Sequence, residues 1–481
     1  MDNLREGLTY SDVLLVPKRT PLASRSEANV RSKFTRNVSL NVPIAAANMA
    51  SVCEADMAIA LARIGAIGVI HQFCTTEFQA TEVAKVKRST CHVIEKPICI
   101  KADVSVAHAV QFMNQKNVTS LIVTSSGFVE GEVLGIFTSR DYLYEENTAK
   151  LVSDVMTPRS RLVIGYPGIS LQDAKEKLHS HRIEKLPLLN EAGHLCGLIT
   201  TKDIMKLELW KSANRDAKGR LVVAAAVGVK DALERGRALV EAGCDVLVLD
   251  IAHCHSDYAI EKIRDVKAAF PSVDVMAGNI ATAQAARDLI AAGADGLKVG
   301  IGPSPVCTTR VMSGAGVPQL TAVWDVCRVA RDASVPVCAD GGITYPGDVA
   351  KALAAGASSI MTGSKFAGCE ESPGMVFSKN GRRYKRYMGS ASYQNNHEKA
   401  EKMRGKHIRE KLNVHVEGVP ILVDYKGSAA SVVDGLVKGL KSGISYCGAR
   451  DVLSMQENAE FIRITAAGWH ESGSRGNKMS D

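Results

Sequence analysis

The sequence predicts an α/β protein: a (β/α)8 barrel interrupted by an inserted module. Three observations carry this reading. Short apolar runs alternate with amphipathic helical stretches along most of the chain, the order that builds a parallel sheet. Eight such runs can be counted, and Asp250, Asn279, Gly300, Asp340 and Gly363 stand just past strand ends, where barrel enzymes carry their chemistry. Residues 93–208 break the alternation and contain an internal repeat. A doubly wound open sheet is the alternative, but its usual glycine fingerprint is absent.

In chain order, residues 43–49 and 66–71 read as buried strands separated by helical spacing over 54–64. The alternation resumes at Arg220, with strands at 221–227, 245–249, 273–277, 296–299, 335–339 and 359–362. The barrel is therefore assigned to residues 1–92 and 209–481. Within it, 379–427 is basic, polar and turn-rich, and reads as a flap; 397–411 is charged enough for a solvated helix. The tail after Trp469 reads as disordered.

In the insertion, Gly135-Ile136-Phe137-Thr138-Ser139-Arg140-Asp141 returns as Gly197-Leu198-Ile199-Thr200-Thr201-Lys202-Asp203. Each copy follows an amphipathic helical pattern (Val106, Ala109, Val110, Met113; Leu171, Ala174, Leu178) and a strand. Thr138/Asp141 and Thr200/Asp203 have the spacing of helix caps.

Composition bounds the function. A net charge of +8 suits phosphate-bearing ligands, but no basic cluster with interleaved aromatics points to nucleic acid. No apolar run is long enough to span a bilayer and no signal peptide is read, so no membrane partner is expected. Twelve cysteines without a CxxC pair point to reduced thiols and a cytoplasmic location.

The chain is organised around residues 300–310, Gly-Ile-Gly-Pro-Ser-Pro-Val-Cys-Thr-Thr-Arg. Two glycines and two prolines break the preceding strand and fix a loop that presents one thiol, Cys307. A thiolate is the strongest nucleophile available near neutral pH, and Arg310 and Lys298 would lower its pKa where they come close. Asp340-Gly341-Gly342 puts a carboxylate able to accept ribose hydroxyls at one strand end. Gly363-Ser364 offers backbone N–H groups and a hydroxyl to a phosphate at the next.

This loop resembles the catalytic loop of the IMP dehydrogenase and GMP reductase family, and the similarity runs through nearly the whole chain. The repeat resembles a tandem pair of CBS modules, a Bateman domain, whose Thr138, Asp141, Thr200 and Asp203 would bind regulatory purine nucleotides (ATP, GTP or GMP). The resemblance implies Cys307 attacking carbon 2 of a purine nucleotide, GMP or IMP. It places Asp340 on ribose, Gly342, Gly363 and Ser364 on phosphate, Met388, Gly389 and Ser390 on the base, and Gly341 among the substrate-binding residues. Tyr387 stands where the family segment has glycine. Asp250, Ala252 and Asn279 fall on the nicotinamide side. Gly302, Ser304 and Cys307 fall where family members offer carbonyls to a potassium ion, with Ser304 in place of the usual glycine and Pro305 after it. A homotetramer, stacking into an octamer, is also implied.

Reductase and dehydrogenase share Cys307 and Thr309. Dehydrogenases of the family activate water with an Arg-Tyr pair on the flap; no such dipeptide occurs between Ser390 and Glu417. Reductases pair Thr with a flap Glu, and Glu417 falls at that spacing. Ser24 and Arg25, with Ser442 and Ser445, match the NADPH side of GMP reductases, where an arginine can pair a 2′-phosphate. Most family members with a Bateman domain are dehydrogenases, and His253-Cys254-His255-Ser256 is closer to a dehydrogenase pattern. The resemblance thus implies an NADPH-dependent GMP reductase, with IMP dehydrogenase oxidising IMP to XMP with NAD as the alternative. A non-catalytic nucleotide sensor is a third class.

Overall fold

Eight parallel strands close into a barrel in the computed structural model, which describes residues 4–89, 93–94, 96–116, 118–404 and 416–473. They are β1 (Ile44–Ala46), β2 (Ile67–Ile70), β3 (Ala224–Val227), β4 (Val246–Asp250), β5 (Asp274–Ile280), β6 (Gly296–Val299), β7 (Val337–Asp340) and β8 (Ser359–Thr362). Each pairs with the next, and β8 closes on β1 through Ile360↔Ile44 and Met361↔Ala45. All eight runs expected from the sequence are barrel strands. They read as nearly unbroken apolar segments because one face looks into the barrel and the other meets the surrounding helices.

The barrel interior is filled by side chains, among them Ala45, Ile67, Val69, Ala224, Ala226, Val246, Val248, Met276, Cys338 and Met361. Phe34 and Leu40, beside the short pair Ser32–Lys33 and Ser39–Leu40, join this core. They plug the end where the strands begin. Thr35 donates to Asp274 at 2.6 Å and Asn37 to the same carboxylate at 2.9 and 2.7 Å, fixing the plug to the start of β5. The C-terminal end of the barrel carries the cavity described below.

Two helices buttress the β7–β8 side. Helix Ala429–Tyr446 lies against Pro346–Ala354, and Gly439 and Gly443 bring the two backbones together, since a Cβ on either would meet Pro346 or Ala350 at 2.4 Å. Between them in sequence, β9 (Phe377–Lys379), β10 (Arg382–Met388) and β11 (Pro420–Asp424) form an antiparallel sheet, with helix Tyr393–Arg404 connecting the last two. The expected solvated helix over 397–411 therefore begins earlier and is described only to Arg404; 405–415 lie outside the described residues. The C-terminal expectation needs a correction. Helix Ala466–Glu471, capped by the Thr465 hydroxyl, continues past Trp469 instead of giving way to disorder there. Residues 474–481 lie outside the description.

The chain divides into two units, one comprising Met1–Ser89, Ser212–Ala217 and Leu221–Asp481, the other Thr90–Lys211 and Lys218–Arg220. The second unit contains a four-stranded sheet and an antiparallel pair, Lys185–Leu189 with Leu195–Thr200. Its two sequence copies share one core: Ile122, Val133 and Ile136 pack with Leu189, Leu195 and Leu198. Asp141 accepts the Thr138 N–H at 2.6 Å and its hydroxyl at 2.9 Å, the capping role expected of that pair. Thr200 is buried at the end of its strand, and the Asp203 side chain lies outside the description. Among the described residues no helix is long and apolar enough to cross a membrane.

Candidate active site

The C-terminal end of the barrel opens into a cavity of about 550 Å3, within the range of about 300–1,000 Å3 usual for small-molecule sites. Cys307 lies on its wall. Gly300 has φ +150°, and a Cβ there would stand 2.1 Å from the Asp340 carbonyl oxygen, so only glycine lets the chain leave β6 this close to β7. Arg310 then folds the loop back on itself, donating to Ile301 O at 2.9 Å and Val317 O at 2.7 Å. The Cys307 N–H donates to Ser304 O at 3.0 Å.

A three-residue chain leads away from the thiol. Cys307 Sγ lies 3.3 Å from Thr309 Oγ1, and the Thr309 hydroxyl donates to Glu417 Oε2 at 2.6 Å. Glu417 is held there by backbone pairing. Thr308 N–H donates to Glu417 O at 2.9 Å, and Val419 N–H to Val306 O at 3.0 Å. The segment leading into β11 is thus stitched onto the cysteine loop, joining residues far apart in sequence.

A buried cation organises the opposite wall. Lys298, 2% exposed, donates to Asp250 Oδ1 at 2.8 Å and Asp340 Oδ2 at 2.7 Å, and also to Asn279 Oδ1. Burial alone would depress its pKa. The two carboxylates outweigh that and hold the ammonium above the ordinary lysine value. Asn279 completes the network by donating to Asp340 Oδ2 at 3.0 Å and Gly300 O at 2.7 Å. Gln319 braces β6 against β7 through Val299 O at 2.8 Å and Asp340 O at 3.1 Å. Neither cation expected near the thiol is dedicated to it: Lys298 serves the carboxylates and Arg310 the loop carbonyls.

The structure brings most of the sequence candidates to one place. Cys307, Thr309, Glu417, Asp340, Gly341, Gly342, Gly363, Ser364, Gly389, Ser390, Asp250, Ala252, Asn279, Gly302 and Ser304 all line the cavity. Gly341 and Gly342, at φ +89° and +80°, turn the chain across its floor. Met388 does not line it; the residue is buried and its N–H donates to Ser51. Ser24, Arg25, Ser442 and Ser445 do not line it either. Arg25 instead donates to Ser442 Oγ at 3.3 Å and the Tyr446 hydroxyl at 3.2 Å, with Ser24 beside it. Ser445 is buried against Thr20. Sequence reasoning did not assign Gln319 to the site, placed Lys298 only as a cation near the thiol, and named Tyr387 only as a departure from the family segment. The signal for Lys298 was present: a lysine inside an apolar barrel strand needs buried carboxylates.

Among the described cysteines only Cys196 and Cys307 are not buried. Burial pushes Cys254 and Cys338 up to about 12 and Cys99 to about 11, keeping them protonated at pH 8. Iodoacetamide at pH 8 is expected to label Cys307 and Cys196 at least about tenfold faster than the buried cysteines, read by peptide mass spectrometry on the folded protein.

Fold and site together define a (β/α)8 barrel with a thiol at the mouth of a small-molecule cavity. The model of the IMP dehydrogenase / GMP reductase domain matches residues 7–475, and the chain belongs to this family of oxidoreductases, which use nicotinamide cofactors. Both activities occur among its relatives. It is 48% identical over 471 residues to an inosine-5′-monophosphate dehydrogenase of Nitrosopumilus maritimus, covering 97% of this chain and 98% of the relative. It is 44% identical over 483 residues to a GMP reductase of Leishmania donovani, covering 98% of each. The structure of a GMP reductase from Trypanosoma brucei in complex with guanosine 5′-monophosphate superposes with a TM-score of 0.91 at 42% identity, covering 99% of both chains.

Proposed function

We propose that this protein is an NADPH-dependent GMP reductase, converting GMP to IMP and ammonia. The observation that carries the reading is the 2.6 Å hydrogen bond from Thr309 to Glu417, which connects the nucleophile to a carboxylate able to carry a proton. The absence of an Arg-Tyr dipeptide between Ser390 and Glu417 supports it, because a dehydrogenase of the family would carry its water-activating pair in that stretch; Arg383-Tyr384 and Arg386-Tyr387 lie before it, in β10.

Asp340 would accept the ribose hydroxyls of GMP, and Gly363 and Ser364 would meet its phosphate. Carbon 2 then faces Cys307. The thiol proton passes through Thr309 to Glu417 as sulfur bonds to carbon 2. Glu417 returns that proton to the amino group, the carbon–nitrogen bond breaks, and ammonia leaves a covalent thioimidate. The bound nicotinamide nucleotide supplies the hydride that reduces carbon 2. The carbon–sulfur bond then breaks, and the thiolate leaves with IMP released. Asp250, Ala252 and Asn279 fit the nicotinamide end. Arg25, with Ser24 and Ser442, fits a 2′-phosphate. Arg25→Ala is expected to raise the KM for NADPH about tenfold, the effect of losing one charge-assisted contact, and to change that for NADH far less.

We read the second unit as a regulatory Bateman domain taking purine nucleotides at the Thr138 and Thr200 turns, the chain as a homotetramer able to stack into octamers, and the location as cytoplasmic. A potassium ion on the Gly302, Ser304 and Cys307 carbonyls belongs to the same reading.

The 48% identity to a dehydrogenase keeps oxidation of IMP as a second reading. Absorbance at 340 nm decides between them. Loss of signal with GMP and NADPH, and none gained with IMP and NAD, establishes the reductase. A gain with IMP and NAD, accompanied by XMP, overturns it.

A further inference from the structure

Lys298 borders the cavity yet takes no part in the steps above. Its ammonium has three N–H groups and three partners: Asp250 Oδ1 at 2.8 Å, Asp340 Oδ2 at 2.7 Å and Asn279 Oδ1. A saturated, buried ammonium has no donor left for a ligand. The carboxylates do have acceptors left. Among the described residues none donates to Asp340 Oδ1 or Asp250 Oδ2, and both side chains stay partly exposed, at 19% and 14%.

The strands build this arrangement locally. Gly278 on β5 lies directly against Lys298 on β6, where a Cβ would stand 2.5 Å from the Lys298 Cβ, so a glycine is needed beside this lysine. The register then moves from Gly278↔Lys298 to Ile280↔Val299. Asn279 is left as the extra residue of a bulge, a feature that re-aims side chains. Its amide accepts from Lys298 while donating to Asp340 Oδ2 and Gly300 O. The ends of β4, β6 and β7 and the bulge of β5 thus meet at one nitrogen.

Two carboxylates gathered on one nitrogen are close enough to repel. Without the cation one of them would take up a proton, and a neutral carboxyl is a weaker acceptor. The ammonium removes that conflict. It occupies one oxygen of each carboxylate and leaves the other free to accept. In the reading above, Asp340 serves the ribose of the purine nucleotide and Asp250 the nicotinamide end.

We propose that Lys298 is a positioning residue for both ligands at once, holding Asp340 and Asp250 charged and oriented as acceptors for the ribose hydroxyls of the purine nucleotide and of the nicotinamide nucleotide. The proposal rests on that reading and adds to it a residue that touches neither ligand.

Calorimetry without turnover tests it. IMP and its 2′,3′-dideoxy analogue are titrated into wild-type, Lys298→Met and Lys298→Arg proteins. NADPH and NADH are titrated separately, because the proposal concerns the ribose they share. In Lys298→Met, binding of IMP and of the reduced cofactor is expected to weaken about tenfold each, while the dideoxy analogue changes less than about twofold. Lys298→Arg keeps the charge and should hold both ligands within about threefold of wild type. A merely structural lysine would weaken IMP and its analogue alike. Equal losses for IMP and the analogue, a loss confined to one ligand class, or unchanged binding of both in Lys298→Met overturns the proposal. Should Lys298→Met fail to fold, Lys298→Gln, which keeps a buried donor without the charge, is read by the same comparison. A wild type that binds IMP but converts neither GMP nor IMP would sink the reductase reading, and the comparison would still decide the role of Lys298.

Discussion

Cys307→Ala is expected to abolish IMP formation from GMP, by at least about 10⁴-fold, while the protein still binds GMP. Among the described residues lining the cavity, Cys307 carries the only thiol, and its loop is held independently of it. Arg310, bonded to the Ile301 and Val317 carbonyls, and Gly300, packed on the Asp340 carbonyl, keep the loop in place without the sulfur. The check is single-turnover production of IMP by wild-type and variant proteins, with GMP binding measured in parallel. Residual turnover near the wild-type rate would exclude a thioimidate route altogether.

Glu417→Gln is expected to reduce kcat about 10²–10⁴-fold with GMP, the range for removing a positioned proton carrier. The amide keeps an oxygen that can accept the Thr309 hydrogen bond, and Glu417 is positioned mainly through its own backbone and that of Val419. Geometry should survive while proton transfer fails. The informative readout is ammonia release against covalent adduct. If Glu417 protonates the departing amine, the variant slows ammonia release without weakening GMP binding. Unchanged ammonia release would remove Glu417 from the mechanism and return the dehydrogenase reading to the front.

The second prediction depends on a contact that spans more than one hundred residues of chain, Thr309 to Glu417. Sequence reasoning could place Cys307 by its glycines and prolines and Asp340 by its strand end, while Glu417 came from the family resemblance alone. Local features of this kind are legible because strand, turn and loop preferences are set by residues close in sequence. Arg25 and Ser442 show the limit. The same kind of reasoning grouped them with the cofactor residues, and the fold sets them together but off the cavity wall that holds Asp250 and Asn279.

The alternation of apolar runs and amphipathic helices was enough to determine the barrel and its strand count. Period and burial are local consequences of side-chain chemistry, and closure follows once eight βα units twist in one sense. Only the tertiary structure decided how the site is wired. Lys298 was readable as a lysine in a strand, but its binding of Asp250 and Asp340 depends on β4, β6 and β7 delivering their ends to one point. Tyr387 was readable as a departure at one position, but its reach to Ser304, Met49 and Gly363 depends on where β10 crosses the barrel mouth. Such contacts are set by the packing of distant elements, a global property that no window of sequence contains.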